Sequence, residues 1–274
     1  MTDDLAALRP EAYFDLDGFA HRALFDGKQY VWEALNAIPA YVDQFWAGLN
    51  PSQQVEGEVE AGALLLGEGI TVAPGAVIEA GVQIRGRDIY IGPGAVLEAG
   101  AYLKGEKIYI GAGALVERAW LKGQRILVDR RAKVLVNTRL RDNVILGEDA
   151  EAGFAADIKN AVFLPRSAAA HFVYAGDSLV GRGVNLADKT TLSNLRHDGR
   201  APRIRVGATT LDSGLRKFGA VVGDGVRTGC VTTMNPGTLV GPGAWTYDHT
   251  VLSGVVAPRQ IIKHRQHNET AEKG

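Results

Sequence analysis

The sequence predicts an all-β fold in which short strands wind into a parallel β-helix, preceded by a short helical segment. Three consecutive stretches of equal length, 72–90, 91–109 and 110–128, align without gaps. Within them, six-residue units begin with aliphatic residues: Val72, Ile78, Ile84, Ile91, Leu97, Leu103, Ile110 and Val116. Three short strands per coil can point these side chains inward, and stacked coils bury what a single coil leaves exposed. A helical interpretation fails because Gly and Pro recur through these units.

The stretch 1–50 lacks this repeat and predicts helical structure. Aliphatic and aromatic residues recur there at helical spacings of three and four, namely Val31, Leu35, Ile38, Val42 and Trp46. The Asn50-Pro51 step ends that helix. The stretch 9–25 predicts a short helix or loop. We therefore divide the chain into a helical cap at 1–50, a β-helix domain at 51–260 and a polar, basic tail at 261–274.

Composition narrows the functional classes. The net charge of -1 and pI of about 6.6 show no global basic surface of the kind that nucleic-acid-binding proteins carry. The single cysteine, Cys230, excludes an internal disulfide and fits a reducing compartment. The stretch 228–247 carries no charge, but it is too rich in Gly, Pro and Thr for a membrane helix. We expect a cytoplasmic protein that binds neither nucleic acid nor membrane.

Polar residues collect between the aliphatic ones from 137 to 199, where the repeat loosens. They are Arg139, Arg141, Asp157, Lys159, His171, Tyr174, Asn185 and Asn194. The interval from Arg141 to Lys159 is nearly one coil, so the two lie above one another in a stack of coils. Singly, each is more often a solvated side chain. Together they supply a base, a carboxylate that can orient it, cations, a phenol and amides, a set that suits transfer to an amine on an anionic small molecule.

Four stretches carry a resemblance to a known family. They are "DIKNAVF", "AHFVYAGDSLVGRGVNL", "TLSNLRHDGR" and "RKFGAVVGDGVRTGCVTTMNPGTLVGPGAW". Together they resemble the hexapeptide-repeat acetyltransferase domain of sugar-1-phosphate nucleotidylyltransferase/acetyltransferases. The motifs are more similar to those of the archaeal-type bifunctional enzymes than to those of the bacterial glucosamine-1-phosphate acetyltransferase/uridylyltransferases. The resemblance covers about residues 55–265. It implies a left-handed β-helix, a homotrimer with sites between subunits, and acetyl-CoA as the acetyl donor.

The resemblance also implies residue roles. His171, in an H-x-x-Y-x-G-D motif, falls on the general base, and Asp157 on an acidic residue that orients it. Sugar-phosphate contacts fall on Arg141, Lys159, Tyr174, Asn185, Asn194, Arg200, Arg203 and Lys217. Cys230 falls near the acetyl donor. Lys263 and Arg265 are basic residues expected to meet the phosphates of coenzyme A, with a solvated basic tail as the alternative.

The implied reaction is acetylation of the amine of an amino-sugar 1-phosphate, glucosamine or galactosamine, in nucleotide-sugar and cell-envelope precursor metabolism. No metal is expected to take part. The chain departs from the family at Ala187, Asp188 and Lys189, which replace Gly-Ala-Gly where relatives contact the acyl donor. No nucleotide-binding Gly-rich loop opens the chain, so nucleotidylyl transfer is not expected from it, and a separate nucleotidylyltransferase is a candidate partner.

Two other functions fit the scaffold. Zinc-dependent carbonic anhydrases of the β-helix type need three converging histidines. The six histidines here, His21, His171, His197, His249, His264 and His267, include no close-spaced ligand pair in the regular coils. A non-catalytic sugar-phosphate-binding or scaffold homologue is the other alternative, which the departure at Asp188 favours and the retained His171 and Tyr174 oppose.

Overall fold

Three strand positions recur in each coil and form three faces of a parallel β-helix. The computed structural model describes residues 3–49, 51 and 53–265. Face 1 consists of short strands: Glu58–Val59, Val77–Ile78, Val96–Leu97, Leu115–Val116, Lys133–Val134, Glu151–Phe154, Ala168–His171, Asn185–Leu186, Trp245–Thr246 and Ile261–Ile262. Isolated bridges through Arg227 join Asn185 to Trp245 and so continue this face.

Longer strands run along face 2, bend at a corner, and continue along face 3. They are Leu64–Val72, Gln83–Ile91, Tyr102–Ile110, Trp120–Val128, Arg139–Leu146, Asp157–Phe163 and Tyr174–Val180. Beyond them, Thr191–Leu192, Thr233–Met234 and Val251–Leu252 extend face 2, while Ala220–Val222, Thr238–Val240 and Val255–Val256 extend face 3. Strand Tyr174–Val180 shows the bend directly, since its first half pairs with Thr191–Leu192 and its second half with Ala220–Val222.

The inward side chains form one continuous core. All eight aliphatic residues that open the six-residue units are fully buried in it. Repeated spacing along the chain thus becomes vertical stacking, with Ile84 above Leu65 and below Leu103. The predicted gap-free alignment of the third stretch holds as far as Val116, which is in register with Leu97; after it the register shifts by one residue, so that Tyr102 pairs with Trp120. The predicted all-β parallel β-helix is confirmed. The left-handed sense of its winding is taken from the family resemblance.

The corner between faces 2 and 3 shortens along the chain. Early coils turn there through Gly-containing stretches such as 86–88 and 105–107, with Asp88 and Lys107 at positive φ. In strands Asp157–Phe163 and Tyr174–Val180 only one residue in each, Asn160 or Asp177, has positive φ. Each tight corner presents a polar side chain in place of a glycine, which prepares the site described below.

The N-terminal segment lies along the side of the β-helix rather than over its end. It contains a helical turn at Asp3–Ala6, 3-10 turns at Pro10–Ala12, Arg22–Phe25 and Val31–Glu33, and the helix Ala34–Leu49. The predicted apolar stripe is buried, since Val31, Leu35, Ile38, Val42 and Trp46 are at most 7% exposed. All of these except Trp46 join a second core with the outward side chains of face 3: Leu127, Ile145, Val162, Leu179, Val221 and Leu239.

Polar anchors fix this segment in place. Asp43 accepts hydrogen bonds from Lys107 and from the guanidinium of Arg125, which lower the pKa of the Asp43 carboxyl. The buried His21 lies between Asp129 and Tyr41, with a ring nitrogen 2.9 Å from each partner oxygen. Burial, together with the nearby charge of Asp129, raises the pKa of Tyr41 to about 12. The segment is therefore held by directional bonds as well as by its apolar stripe.

An insertion leaves the β-helix at the corner between faces 2 and 3. Residues 193–219 separate Thr191–Leu192 from Ala220–Val222 and contain an antiparallel hairpin, Arg203–Val206 with Thr209–Asp212. Its Phe218 is buried against Trp32 of the N-terminal segment, with ring centroids 6.0 Å apart. The insertion and the N-terminal segment thus share one apolar cluster.

The strands of the β-helix run from Glu58 to Ile262. The domain boundaries given above, at residues 50 and 260, stay predictions. The predicted tail at 261–274 is described only as far as Arg265, and His267 lies outside the described residues. In the described part of the chain, no helix has the length and apolar character needed to cross a membrane.

The glycine corner supplies a test of the fold. A Cβ on Gly105 (φ +157°) would overlap the carbonyl oxygen of Gly123 in the next coil, whereas one on Gly94 (φ +66°) would meet no atom within 4 Å. We expect Gly105→Ala to lower the free energy of unfolding by about 3 kcal/mol or more. Gly94→Ala is the control and should cost about 1 kcal/mol. Equal losses for the two variants in urea unfolding would contradict this close stacking.

Candidate functional site

Most of the candidate residues lie on face 2 and at the two corners that flank it. Arg141 and Lys159 are in direct register, and Gly176 continues their column in the next coil. Asp157 and Tyr174 are in register in the neighbouring column. The predicted stacking of Arg141 below Lys159 is therefore confirmed. The phenol of Tyr174 lies on the same face, in the coil that follows Lys159.

Asp157 is held by two arginines. Its carboxylate accepts hydrogen bonds from Arg139 (2.9 Å, Nη2) and from Arg141 (2.9 Å, Nε), which it bridges. Its contacts within the described residues do not include His171. The arrangement fixes the guanidinium of Arg141 beside Lys159, whereas the predicted role of Asp157 in orienting the histidine gains no support from these contacts.

His171 ends strand Ala168–His171 at the corner between faces 1 and 2, where it is exposed. Phe154 is its register partner in the coil below. Phe154 and the following Phe172 are both exposed and meet edge to face, with ring centroids 5.2 Å apart. The imidazole thus stands in solvent beside an aromatic pair, and Tyr174 begins face 2 three residues later.

A buried carboxylate organises the opposite corner. Asp177 is 5% exposed and accepts hydrogen bonds from the side-chain amides of Asn160 (2.9 Å) and Asn194 (2.5 Å). The ammonium of Lys159 lies 3.9 Å from the same carboxylate. Asn194 belongs to the insertion, so Asp177 ties the insertion to face 2 and draws Lys159 toward this corner.

Gly176 lets the side chains of Tyr174 and Asn194 approach the backbone of face 2 closely. A Cβ there would lie 2.5 Å from both the hydroxyl of Tyr174 and the amide nitrogen of Asn194. A cavity of about 280 Å³ at the Asp177 corner is lined in part by Asn160, Asp177 and Lys217. Lys159 and Asn194 thus meet at Asp177, Tyr174 lies beside Asn194 at Gly176, and Lys217 lines the cavity at the same corner.

Other predicted residues lie elsewhere. Asn185 is exposed on face 1, in register with Ala168, and so lies on the other side of the corner from Tyr174. Arg200 and Arg203 are exposed on the insertion, Arg200 just after a turn in which Asp198 pairs with Arg196. That ion pair lowers the pKa of Asp198. Within a single chain, Asn185, Arg200 and Arg203 do not join the cluster at Asp177.

The residues assigned to the donor follow the His171 corner along the β-helix. Cys230 is exposed, and its backbone N–H donates to Asp248 (2.7 Å). Lys263 lies over the ring of Tyr247, 5.7 Å from its centroid, and Arg265 is exposed two residues later. Lys263 is four coils from His171, about 19 Å at the usual strand spacing. Only an extended ligand reaches both.

Asn160 and Asp177, the two residues that organise this corner, were not identified from the sequence. A signal for them exists, because the interval between them equals the length of the coil at this point. Both also stand inside the motifs quoted above, in "DIKN" and "YAGDS". In the described part of the chain, no three His, Cys, Asp or Glu side chains are grouped so as to hold a metal ion.

Comparison with known sequences identifies proteins that are similar to part of this chain. A bifunctional sugar-1-phosphate nucleotidylyltransferase/acetyltransferase of Sulfurisphaera tokodaii is 34% identical over 127 residues, 46% of this chain and 32% of that protein. A bifunctional protein GlmU of Methanococcus vannielii is 36% identical over 102 residues, 37% of this chain and 24% of that protein. The predicted resemblance is confirmed. This chain spans about a third or less of the length of these relatives, and no family model matches it.

Among solved structures, that of the polysialic acid O-acetyltransferase OatWY covers 77% of this chain and 95% of that chain, at 13% identity and a TM-score of 0.30. A score this low supports no inference. The fold described above therefore rests on the strand pairings of this chain.

The buried carboxylate offers a test of how the site is built. Asp177→Ala leaves the amides of Asn160 and Asn194 without their acceptor, so we expect a loss of about 2–3 kcal/mol in unfolding free energy. We also expect faster proteolysis within 195–201. Asp198→Ala, which removes an exposed carboxylate from the same insertion, should leave stability nearly unchanged. Equal sensitivity of the two variants would show that Asp177 does not anchor the insertion.

Proposed function

We propose that this chain is an acetyltransferase that moves the acetyl group of acetyl-CoA to the amine of an amino-sugar 1-phosphate, glucosamine or galactosamine 1-phosphate. The observation that carries the proposal is the cation column of Arg141 and Lys159, which ends at Gly176 beside the Tyr174 hydroxyl and the Asn194 amide. A phosphate needs such donors, and Arg and Lys supply them as a fork and as a point charge. The names of the sequence relatives support acetyl transfer.

His171 is the proposed base. The amine attacks the thioester carbonyl, its nitrogen bonds to carbon, and its proton passes to a free imidazole nitrogen. Collapse of the intermediate breaks the carbon–sulfur bond, and the leaving sulfur takes up the proton, so that an amide and a free thiol result. Exposure of His171 leaves both ligands access to the ring. Backbone N–H groups at the coil corners are the proposed donors to the developing oxyanion.

The remaining residues divide between the two ligands. Asn194 borders Gly176 and Lys217 lines the cavity at the Asp177 corner, so we assign both to the sugar phosphate. Cys230, Lys263 and Arg265 follow the His171 corner and suit an extended donor that ends in phosphates. Asn185, Arg200 and Arg203 lie outside the single-chain cluster and fit the proposal where a second subunit completes the site.

Two columns of opposite charge support assembly of this chain with itself, as the proposed homotrimer requires. Face 2 carries a cation column in direct register: Arg85, Lys104, Lys122, Arg141 and Lys159. Face 1 ends in a glutamate column: Glu60, Glu79, Glu98 and Glu117. Burial raises the pKa of Glu98, and the neighbouring charges of Glu117 and Glu79 raise it further. A cation from outside the chain would offset the repulsion between these glutamates and so stabilise the column.

The columns match in height as well as in charge. Glu98 and Lys104 belong to one coil, as do Glu117 and Lys122, and coils lie about 4.8 Å apart. A parallel copy whose face 1 meets face 2 therefore sets each glutamate against a cation at its own level. Trp120, 59% exposed on face 2 beside Lys122, supplies apolar area for such a contact.

Catalysis by His171 is tested with a thiol-release assay on acetyl-CoA and glucosamine 1-phosphate or galactosamine 1-phosphate. We expect His171→Gln to lower kcat by roughly 10²–10⁴-fold, the usual contribution of a general base. His249→Gln changes an exposed histidine at the same corner, several coils away, and should keep full activity. Unchanged turnover in His171→Gln would contradict the mechanism. No thiol release with either sugar, joined with no binding of acetyl-CoA in a titration, would favour the non-catalytic alternative.

Assembly is tested by charge exchange. We expect Lys104→Glu with Lys122→Glu to lower the oligomer mass measured by light scattering, because like charges then oppose each other at two levels. Adding Glu98→Lys and Glu117→Lys to the same chain should restore the wild-type mass. Failure of this fourfold variant to reassemble, while it remains folded by circular dichroism, would exclude the paired columns as the interface.

A further inference from the structure

One corner column contains His171, and its backbone pairings identify the residue directly above. The N–H of Phe172 donates to the carbonyl of Phe154, and the N–H of Lys189 donates to the carbonyl of His171. The N–H of Val231 then donates to the carbonyl of Asp188. The same corner position is therefore held in successive coils by Phe154, His171, Asp188 and Cys230.

Asp188 is the nearest carboxylate to His171 along this column. Consecutive coils lie about 4.8 Å apart, which is within reach of an aspartate side chain and an imidazole ring. Asp188 is partly buried, and its carboxylate now lies 3.4 Å from the exposed ammonium of Lys189. That contact is between neighbours on a solvated corner, so it is a weak competitor for the carboxylate.

The column itself shows an aspartate turned toward the coil below. Asp248 follows Cys230 in the column, and its carboxylate accepts the backbone N–H of Cys230 at 2.7 Å. A side chain of the same length at Asp188 has the same reach toward His171. The other candidate, Asp157, has its carboxylate occupied by Arg139 and Arg141.

Among the residues that the structure describes, the remaining groups around His171 do not offer an alternative acceptor of this kind. The coil below contributes Phe154 and, at the start of its strand, Glu151, which is in register with Ala168 rather than with His171. The coil above contributes Asp188 and the cation Lys189, and face 2 contributes Tyr174.

We propose that Asp188 is the residue that positions His171, accepting one ring N–H so that the other ring nitrogen faces the acceptor amine. The inference rests on the proposed function for its catalytic meaning. A carboxylate bonded to one imidazole nitrogen selects the tautomer and fixes the ring plane. The departure from the family at Asp188 is then a replacement of the orienting group, since Asp157 binds the phosphate-site arginine. Asp188 is a positioning residue, since its carboxylate acts on the reaction through the His171 ring.

The test reads the His171 ring directly and needs no substrate. In the full chain, nitrogen-15 NMR at alkaline pH should show one neutral tautomer of His171, with the signal assigned by its loss in His171→Gln. Asp188→Ala should give a mixture of both tautomers, and Asp188→Glu should restore one. The matched control is Asp248→Ala, which removes an aspartate from the same column farther away and should leave the His171 tautomer unchanged.

A single tautomer in Asp188→Ala, or a mixture that arises from Asp157→Ala instead, would overturn the assignment. Where acetyl transfer is measurable, Asp188→Ala should lower kcat by about 10-fold or more with little change in KM for the sugar phosphate, because it alters the base and not the phosphate site. The tautomer result stands whether or not the thiol assay succeeds, so failure of this inference and failure of the proposed function are separable.

Discussion

In-register stacking of the coils is the constraint on which the rest of the structure depends. Each strand finds its hydrogen-bond partners in the coils above and below, so a side chain keeps its column through successive coils. The aliphatic column from Ile84 to Leu103 forms the core by this rule, and the column from Arg141 to Lys159 forms the site by the same rule. Repetition in sequence thus becomes repetition of chemistry along one surface.

That constraint also explains why the site stands where the repeat shortens. The longer, early coils turn through stretches that begin with a glycine, such as 86–88 and 105–107, and Lys107 in one of them bonds to Asp43 of the N-terminal segment. The shorter coils around the site turn on Asn160 and Asp177, whose side chains bond to each other beside Lys159. The insertion leaves at this corner and returns Asn194 to Asp177. Specific chemistry therefore depends on local loss of regularity in an otherwise repetitive fold.

The sequence predicted the features that depend on periodicity. The buried aliphatic column, the helix containing Leu35 and Ile38, and the register of Arg141 with Lys159 all follow from spacing alone. Which partner a polar group selects depends on side-chain direction across a corner, which spacing does not specify. Asp157 lies in the strand that the motif predicts, yet it bridges two arginines. Asp177 and Asn160 were overlooked because their importance arises from burial.

The position of the N-terminal segment in the chain has a consequence for biosynthesis. Face 3 carries a row of outward apolar side chains, including Leu127, Val162 and Leu239, which the segment covers. Because residues 3–49 precede the β-helix, the ribosome synthesises the N-terminal segment before the apolar surface of face 3 that the segment covers. Each coil added to face 3 can be shielded as it forms, so the nascent chain need not hold an uncovered apolar surface while synthesis continues.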